Sequence, residues 1–368
     1  MKILHIICNL SMGGGQNLLI SLAGHQQKNG NEVTVLQLRK SNDDTVSSKI
    51  ISKGVEVKWL KEKGNIYSPT FIFAIIPYLD RRKYDIVHVH LFPTLYWVGF
   101  ARLFARTPPP IVYTEHSTYN KRRKNFILRN IDKIIYKKCY QRIIACADKA
   151  LDAFLAVYPN IKHACTVNNG VDTLVCTSAK PYTKQELLGI SEDSFVFTMV
   201  ASFLPMKRQD VLVEALCKLP DSFHAVFVGG TEADLGLQKV KKMVQSLGLE
   251  KRVHFLYIRS DVPRILKTSD VVVMASEYEG LSLSSIEGMA AGKPFLASNV
   301  NGLREVVEEA GFLFDLNNSD ELADLLLKLY SDKDLYAETV KRCEKRAQEY
   351  NVDNMVGKYM DIYREVMN

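Results

Sequence analysis

Residues 271–294, "VVVMASEYEGLSLSSIEGMAAGKP", read as a strand, a loop and a helix in succession. The apolar run ends at Ser276, the polar loop "EYEGLS" follows, and a helix starts near Ser282 and stops before Gly292 and Pro294, which are helix-ending signals. Short Val- and Ile-rich runs alternate with longer helical patterns along the rest of the chain. That alternation predicts parallel sheets joined by right-handed crossovers.

Working outward, a first series of strands is expected at "KILHII", "EVTVLQL" (32–38), "DIVHVH" (85–90), "IVYTEH" (111–116), "RIIACA" (142–147) and "CTVNNG" (165–170). A second follows at "FVFTMVASF" (195–203), "HAVFVGG" (224–230), "VHFLY" (253–257), "VVVMAS", "PFLAS" (294–298) and "GFLFD" (311–315). Strand periodicity lapses over "DTLVCTSAKPYTKQ" (172–185), which marks the joint. The expected fold class is α/β, with one Rossmann-like, doubly wound domain over 1–178, a second over 179–349 and a closing helix over 350–368. A length of 368 residues fits two such cores. Ligands of doubly wound sheets bind at the carboxyl ends of the strands.

Composition narrows the class further. With 47% hydrophobic and 24% charged residues the chain reads as an ordinary globular protein, and no run reaches the roughly 18 apolar residues of a membrane span. The opening "MKILHIICNL" is short and lacks a small-residue cleavage site, unlike a signal peptide. Seven scattered cysteines show neither C-x-x-C pairs nor a disulfide framework, so a cytoplasmic protein is expected. Charge is uneven: residues 121–138 carry eight Lys or Arg against one Asp, with Ile127, Ile131, Ile134 and Ile135 at helical spacing. This basic amphipathic helix is either a solvated face or a peripheral contact with an anionic membrane. The aromatic interleaving of a nucleic-acid platform is absent.

Several positions carry candidate chemistry. Gly13, Gly14 and Gly15 separate the first strand from a helix, which suits either phosphate approach to the helix N-terminus or a plain tight turn. His88 and His90 alternate and so face one side of their strand, but no third metal ligand is evident. His116 ends a strand where an open sheet meets its ligand crevice, and is either a ligand contact or a structural histidine. Lys207 sits in a strand-to-helix loop, fitted for a diphosphate or simply solvated. Glu279 precedes the helix of the opening stretch and Glu287 lies on its second turn, with Gly280 between them. Two acids flanking an anion site suit a ligand with hydroxyls on either side of a phosphate; a capping acid and a solvated acid are the plain alternative.

Taken together, "GGGQ", "DIVHVH", "YTEHS", "NNGVD", "SFLPMK", "FVGG", "VHFLYIRSDVPRIL" and "SEYEGLSLSSIEGMAAGKP" resemble, in order and over nearly the whole length, the retaining glycosyltransferases of family four, which have the GT-B fold of two facing Rossmann-like domains. The resemblance implies that Glu287 holds the ribose of a nucleotide-sugar donor and that Glu279, catalytic, contacts the sugar. It places backbone groups of Gly280, Leu281 and Ser282 on sugar and phosphates, Lys207 on the leaving diphosphate, and Ile258 and Arg259 beside the base. His116, catalytic, and Gly14 close the site from an N-terminal, acceptor-binding domain, onto which the final helix crosses back. The implied activity is metal-independent transfer, without a cofactor, from a UDP-linked donor to a glycan or lipid-linked acceptor of a cell-surface polysaccharide. Ser202, Gln16 and Asn168 depart from the family pattern, and the first removes an arginine from the diphosphate clamp. Rival readings are a sugar-nucleotide epimerase, a sugar phosphorylase and a non-catalytic sugar-nucleotide sensor.

Overall fold

The computed structural model describes the chain except residues 12, 13, 117–120 and 280 and the side chains of 14, 121 and 124. Two compact units are present, one formed by Met1–Gly170 with Val352–Asn368, the other by Val171–Asn351.

The first unit is built on a parallel sheet of seven strands, β1 (Lys2–Ile7), β2 (Glu32–Arg39), β3 (Glu56–Lys61), β4 (Ile86–His90), β5 (Ile111–Glu115), β6 (Arg142–Ala145) and β7 (Ala164–Thr166), in the order β3-β2-β1-β4-β5-β6-β7. Order reverses between β1 and β4. Every residue of β4 and β5 is buried, as expected for strands covered by helices on both faces. The sequence reading did not include β3, whose "EVKWLK" is only half-buried along its length and lies at the sheet edge. Charged side chains suit such an edge and hide the apolar period.

The second unit carries a six-stranded parallel sheet, β8 (Phe195–Val200), β9 (Phe223–Val228), β10 (Val253–Phe255), β11 (Val271–Met274), β12 (Phe295–Ser298) and β13 (Phe312–Phe314), ordered β10-β9-β8-β11-β12-β13. Reversal occurs between β8 and β11. The helix Leu283–Ala290 lies very close to this sheet: a Cβ on Gly288 would stand 2.9 Å from both Phe295 and Val272. Small residues in "GMAAG" permit that approach, and Gly292 takes the left-handed φ of +71° that ends the helix.

The joint differs from the sequence expectation. The first unit ends at Gly170 rather than 178, because Val171 donates its N–H to Tyr350 O (2.9 Å) and the stretch 172–185 is not all loop. The helix Thr173–Thr177 lies within it, with Thr173 and Cys176 buried, and the helix Lys184–Leu188 starts at its end. The final helix, Val352–Met367, belongs to the first unit and buries Tyr359 and Tyr363.

The basic segment also needs correction. It is not one helix but a short turn, Lys121–Lys124, and a helix, Phe126–Cys139, separated by Asn125, whose side chain accepts from the N–H groups of Ile127 and Leu128. Arg122 pairs with buried Asp132 at 3.1 Å and Arg123 with Glu115 at 3.0 Å, so two of the eight cations face inward. Asp132 also accepts from Tyr96 and Tyr158 hydroxyls at 2.6 and 2.9 Å. Its isolation among basic residues thus reflects an internal anchor. Among the described residues, no helix is long and apolar enough to cross a membrane.

Candidate active site

In each unit the candidate residues gather where strand order reverses. In the second unit, β8 leads into the turn Pro205–Lys207, and β11 leads into the loop carrying Ser276 and Glu279. The N–H of Glu277 donates to Met206 O at 2.8 Å and ties the two loops together. Lys207 Nζ consequently stands 2.5 Å from Glu279 Oε1, which also accepts from Ser276 Oγ at 2.8 Å. The sequence reading gave the lysine and the glutamate separate roles; the fold pairs them.

Ser282 caps the helix Leu283–Ala290 by accepting from Ser285 N–H. Its hydroxyl is therefore engaged, while the N–H groups of Leu283 and Ser284 at the open first turn face no acceptor among the described residues. An anion at that end meets unpaired donors and the positive end of the helix dipole. Gly280 lies outside the described residues, and Leu281 is half-buried. Glu287 is on the second turn, as the spacing predicts. Burial pushes its carboxyl up to about 7.

Other expected contacts are placed differently. Arg208 cannot stand in for the arginine missing at Ser202, because its guanidinium is held by Asp210 (2.8 Å), Glu277 (3.5 Å) and Asn317. Arg259 is locked in a two-pronged pair with Asp261 at 2.8 and 2.6 Å, beside exposed Ile258.

In the first unit, Gly13 lies outside the described residues, and the first helix already begins at Gly14. A Cβ on Gly15 would be 3.4 Å from His116 Nδ1 and Cε1, so the ring edge lies against the start of that helix. His116 follows β5. Burial lowers it to about 4 and keeps it neutral. His88 and His90 do share a side of β4, their ring centroids 4.0 Å apart, and the third histidine missing from the sequence reading is His5. It sits opposite His88 in the β1–β4 register. The alternation of "KILHII" against "DIVHVH" carried that signal. All six ring nitrogens of the trio have protein partners, so a cation there would have to displace existing hydrogen bonds.

Comparison with known proteins follows the two units. Glycosyltransferase Family 4 matches residues 12–174 and Glycosyl transferases group 1 matches residues 183–350. The Escherichia coli UDP-Gal:alpha-D-GlcNAc-diphosphoundecaprenol alpha-1,3-galactosyltransferase is 31% identical over 315 residues, 80% of this chain and 79% of that protein. The chain belongs to the group 1 glycosyl transferases, family 4. This glycosyltransferase also superimposes on a Rickettsia africae glycosyltransferase with a TM-score of 0.87 at 20% identity, covering 100% of this chain and 98% of the other. The Anabaena protein HepE in complex with UDP gives 0.83 at 22% identity, over 99% and 100%. At those identities the likeness shows the fold, which is GT-B.

Proposed function

We propose that this glycosyltransferase moves a sugar from a UDP-linked donor to a lipid-linked glycan acceptor, with retention of anomeric configuration and without a metal or other cofactor. The observation that carries the reading is the succession along one loop and helix of the second unit: the Lys207–Glu279 pair, the open helix N-terminus and Glu287. The E. coli relative's name states a UDP-Gal donor and a diphosphoundecaprenol-linked acceptor, which supports the choice of both, and HepE was solved with UDP, which supports the donor.

In this reading Glu287 accepts the ribose hydroxyls, the N–H groups of Leu283 and Ser284 meet the diphosphate, and Lys207 faces the charge that grows on it. Fixed donors and cations aimed at developing charge are a large source of rate. Glu279, beside Lys207, takes hydroxyls of the transferred sugar. The bond from the anomeric carbon to the diphosphate oxygen breaks, and the acceptor oxygen bonds to the same face. The acceptor proton passes to the departing diphosphate oxygen, so no protein carboxylate acts as nucleophile. The first unit takes the acceptor, with His116 beside Gly15 as a polar contact.

A peripheral position on the inner face of a membrane fits the same acceptor. The helix Phe126–Cys139 exposes Phe126, Ile127 and Ile134 together with Arg129, Lys133, Lys137 and Lys138. Large apolar side chains between cations are the composition of an interfacial helix.

The test is transfer from UDP-galactose to α-GlcNAc-diphospho-lipid, with and without EDTA, and the anomeric coupling of the new linkage read by NMR. An α product formed at the same rate in EDTA is expected. A β product overturns retention, and loss of rate in EDTA overturns metal independence.

A further inference from the structure

Five side chains of the first unit form one hydrogen-bonded run from the final helix to His116. Tyr363 Oη lies 3.4 Å from Gln26 Nε2. Gln26 Oε1 lies 2.7 Å from His5 Nε2, His5 Nδ1 lies 3.0 Å from His90 Nε2, and His90 Nδ1 lies 3.4 Å from His116 Nε2. Tyr363, Gln26, His5 and His90 are completely buried. A side branch leaves Tyr363 Oη for His88 Nδ1 at 2.6 Å and continues from His88 Nε2 to Thr114 Oγ1 at 2.6 Å.

The polarity of such a run is decided at its end. Burial holds all four histidines neutral, with His5 and His116 lowered to about 4 and His88 and His90 lowered well below the ordinary imidazole value. A neutral imidazole has one donor nitrogen and one acceptor nitrogen, and the hydrogen bonds around it determine which is which. Gln26 differs in kind, because its amide has a distinct oxygen and nitrogen. Its oxygen accepts from His5, which therefore carries its proton on Nε2 and leaves Nδ1 bare. His90 must then donate from Nε2 to His5, and His116 must donate from Nε2 to the bare Nδ1 of His90. Turning the Gln26 amide over reverses every link. The Tyr363 hydroxyl, on the other side of the amide, lies 2.6 Å from His88 Nδ1; donating its proton there leaves its oxygen only to accept from Gln26 Nε2, which holds the carbonyl toward His5.

We propose that Gln26, held by Tyr363, is a positioning residue for substrate binding: through His5 and His90 it fixes His116 as the Nε2–H tautomer, so that the ring edge beside Gly15 offers Nδ1 as an acceptor to a sugar hydroxyl. The proposal rests on the reading of His116 as a substrate contact. It adds a specificity to that contact. A hydroxyl can donate to the bare nitrogen, whereas a carboxylate or phosphate oxygen meets only a lone pair, and a substrate carbonyl finds no donor.

The test uses the full chain labelled with 15N-histidine, whose long-range proton–nitrogen spectra distinguish bare from protonated ring nitrogens. The His116 signals are assigned by their loss in His116→Asn. Wild-type protein is expected to show Nδ1 bare and Nε2 protonated. Tyr363→Phe keeps the buried ring but removes the hydroxyl, so both amide orientations populate, and Gln26→Leu removes the amide. Each is expected to give a mixed His116 tautomer and a three- to tenfold rise in KM for α-GlcNAc-diphospho-lipid with little change in kcat, the size of one hydrogen bond. A purely structural role would lower the melting temperature and leave the tautomer alone. Should Gln26→Leu fail to fold, Tyr363→Phe carries the test. A wild-type proton on Nδ1, or a His116 tautomer unchanged in the folded variants, overturns the relay. Unchanged transfer by His116→Ala overturns the substrate contact instead, and because the spectra need no substrate the two failures are told apart.

Discussion

Lys207 and Glu279 form an ion pair at 2.5 Å, with side chains only 17% and 15% exposed. The cation proposed for a diphosphate is thus already matched by the acid proposed for a sugar. In the proposed mode donor binding redistributes this pair, since a diphosphate competes with the carboxylate for the same ammonium. Glu279→Gln keeps the shape and frees the lysine. Its expected outcome is UDP binding three- to tenfold tighter, about 1 kcal/mol for a partly exposed pair, with transfer at least about 100-fold slower because the sugar loses its acceptor. Calorimetry with UDP and a transfer assay read the two effects. Weaker UDP binding would show that the pair holds the loop for the nucleotide rather than competing with it.

Lys207→Ala tests the other partner. In the proposed mode this removes a charge aimed at the leaving group, with an expected cost of about 10²- to 10³-fold in kcat, and Arg208 does not replace it, being already held by Asp210 and Glu277. A drop confined to KM, measured in the same assay, would place the lysine in uniform substrate binding instead.

Glu287 carries a pH signature. Burial raises its carboxyl to about 7 from the ordinary glutamate value of 4.5, so between those values the folded protein keeps a proton that the unfolded chain has lost. Stability therefore falls as pH rises from about 4.5 to about 7 and is level, as far as this group matters, above that. The full cost is about 3 kcal/mol. Glu287→Gln is expected to remove that slope and raise the neutral-pH denaturation midpoint, while weakening UDP binding by tenfold or more. Calorimetric or urea unfolding across pH 4–8 checks it. An unchanged slope would show that the carboxyl is hydrated.

Gly288 tests how closely the helix Leu283–Ala290 must approach the sheet. A methyl there meets Phe295 and Val272 at 2.9 Å, inside normal contact. Gly288→Val is expected to destabilise the second unit by about 1–3 kcal/mol through overpacking and to weaken UDP binding as the helix shifts. A melting curve with and without UDP reads both.

Much of this was legible because parallel strands covered on both faces leave nearly unbroken apolar runs, as in "VVVM" and "IVHVH". The helix start at Ser282 and its stop at Gly292 were legible for a local reason, since caps are written in adjacent residues. What escaped was set by packing across elements. The edge strand at Glu56–Lys61 hides its period among charges, His5 gains meaning only opposite His88, and the Lys207–Glu279 pair needs two loops brought together by the β8–β11 neighbourhood. Composition likewise could not tell an inward arginine from an outward lysine in the segment 121–138.

That last distinction decides how the membrane contact must be tested. Neutralising Arg122 would break its pair with buried Asp132, and neutralising Arg123 its pair with Glu115; breaking a buried pair on one side destabilises by about 3–5 kcal/mol. Lost liposome binding would then report unfolding. Lys133, Lys137 and Lys138 are exposed on the helix Phe126–Cys139 and can be changed without that cost. At about 1 kcal/mol for each cation near an anionic surface, Lys133→Gln, Lys137→Gln and Lys138→Gln together are expected to reduce binding to phosphatidylglycerol vesicles by about 100-fold, with an unchanged melting temperature. Phe126→Ser with Ile127→Ser should weaken binding to the same vesicles while keeping its salt dependence, because their insertion is apolar. Vesicle sedimentation measures both. Equal binding by wild type and the lysine triple variant would leave this helix as a solvated face and overturn the proposed membrane contact.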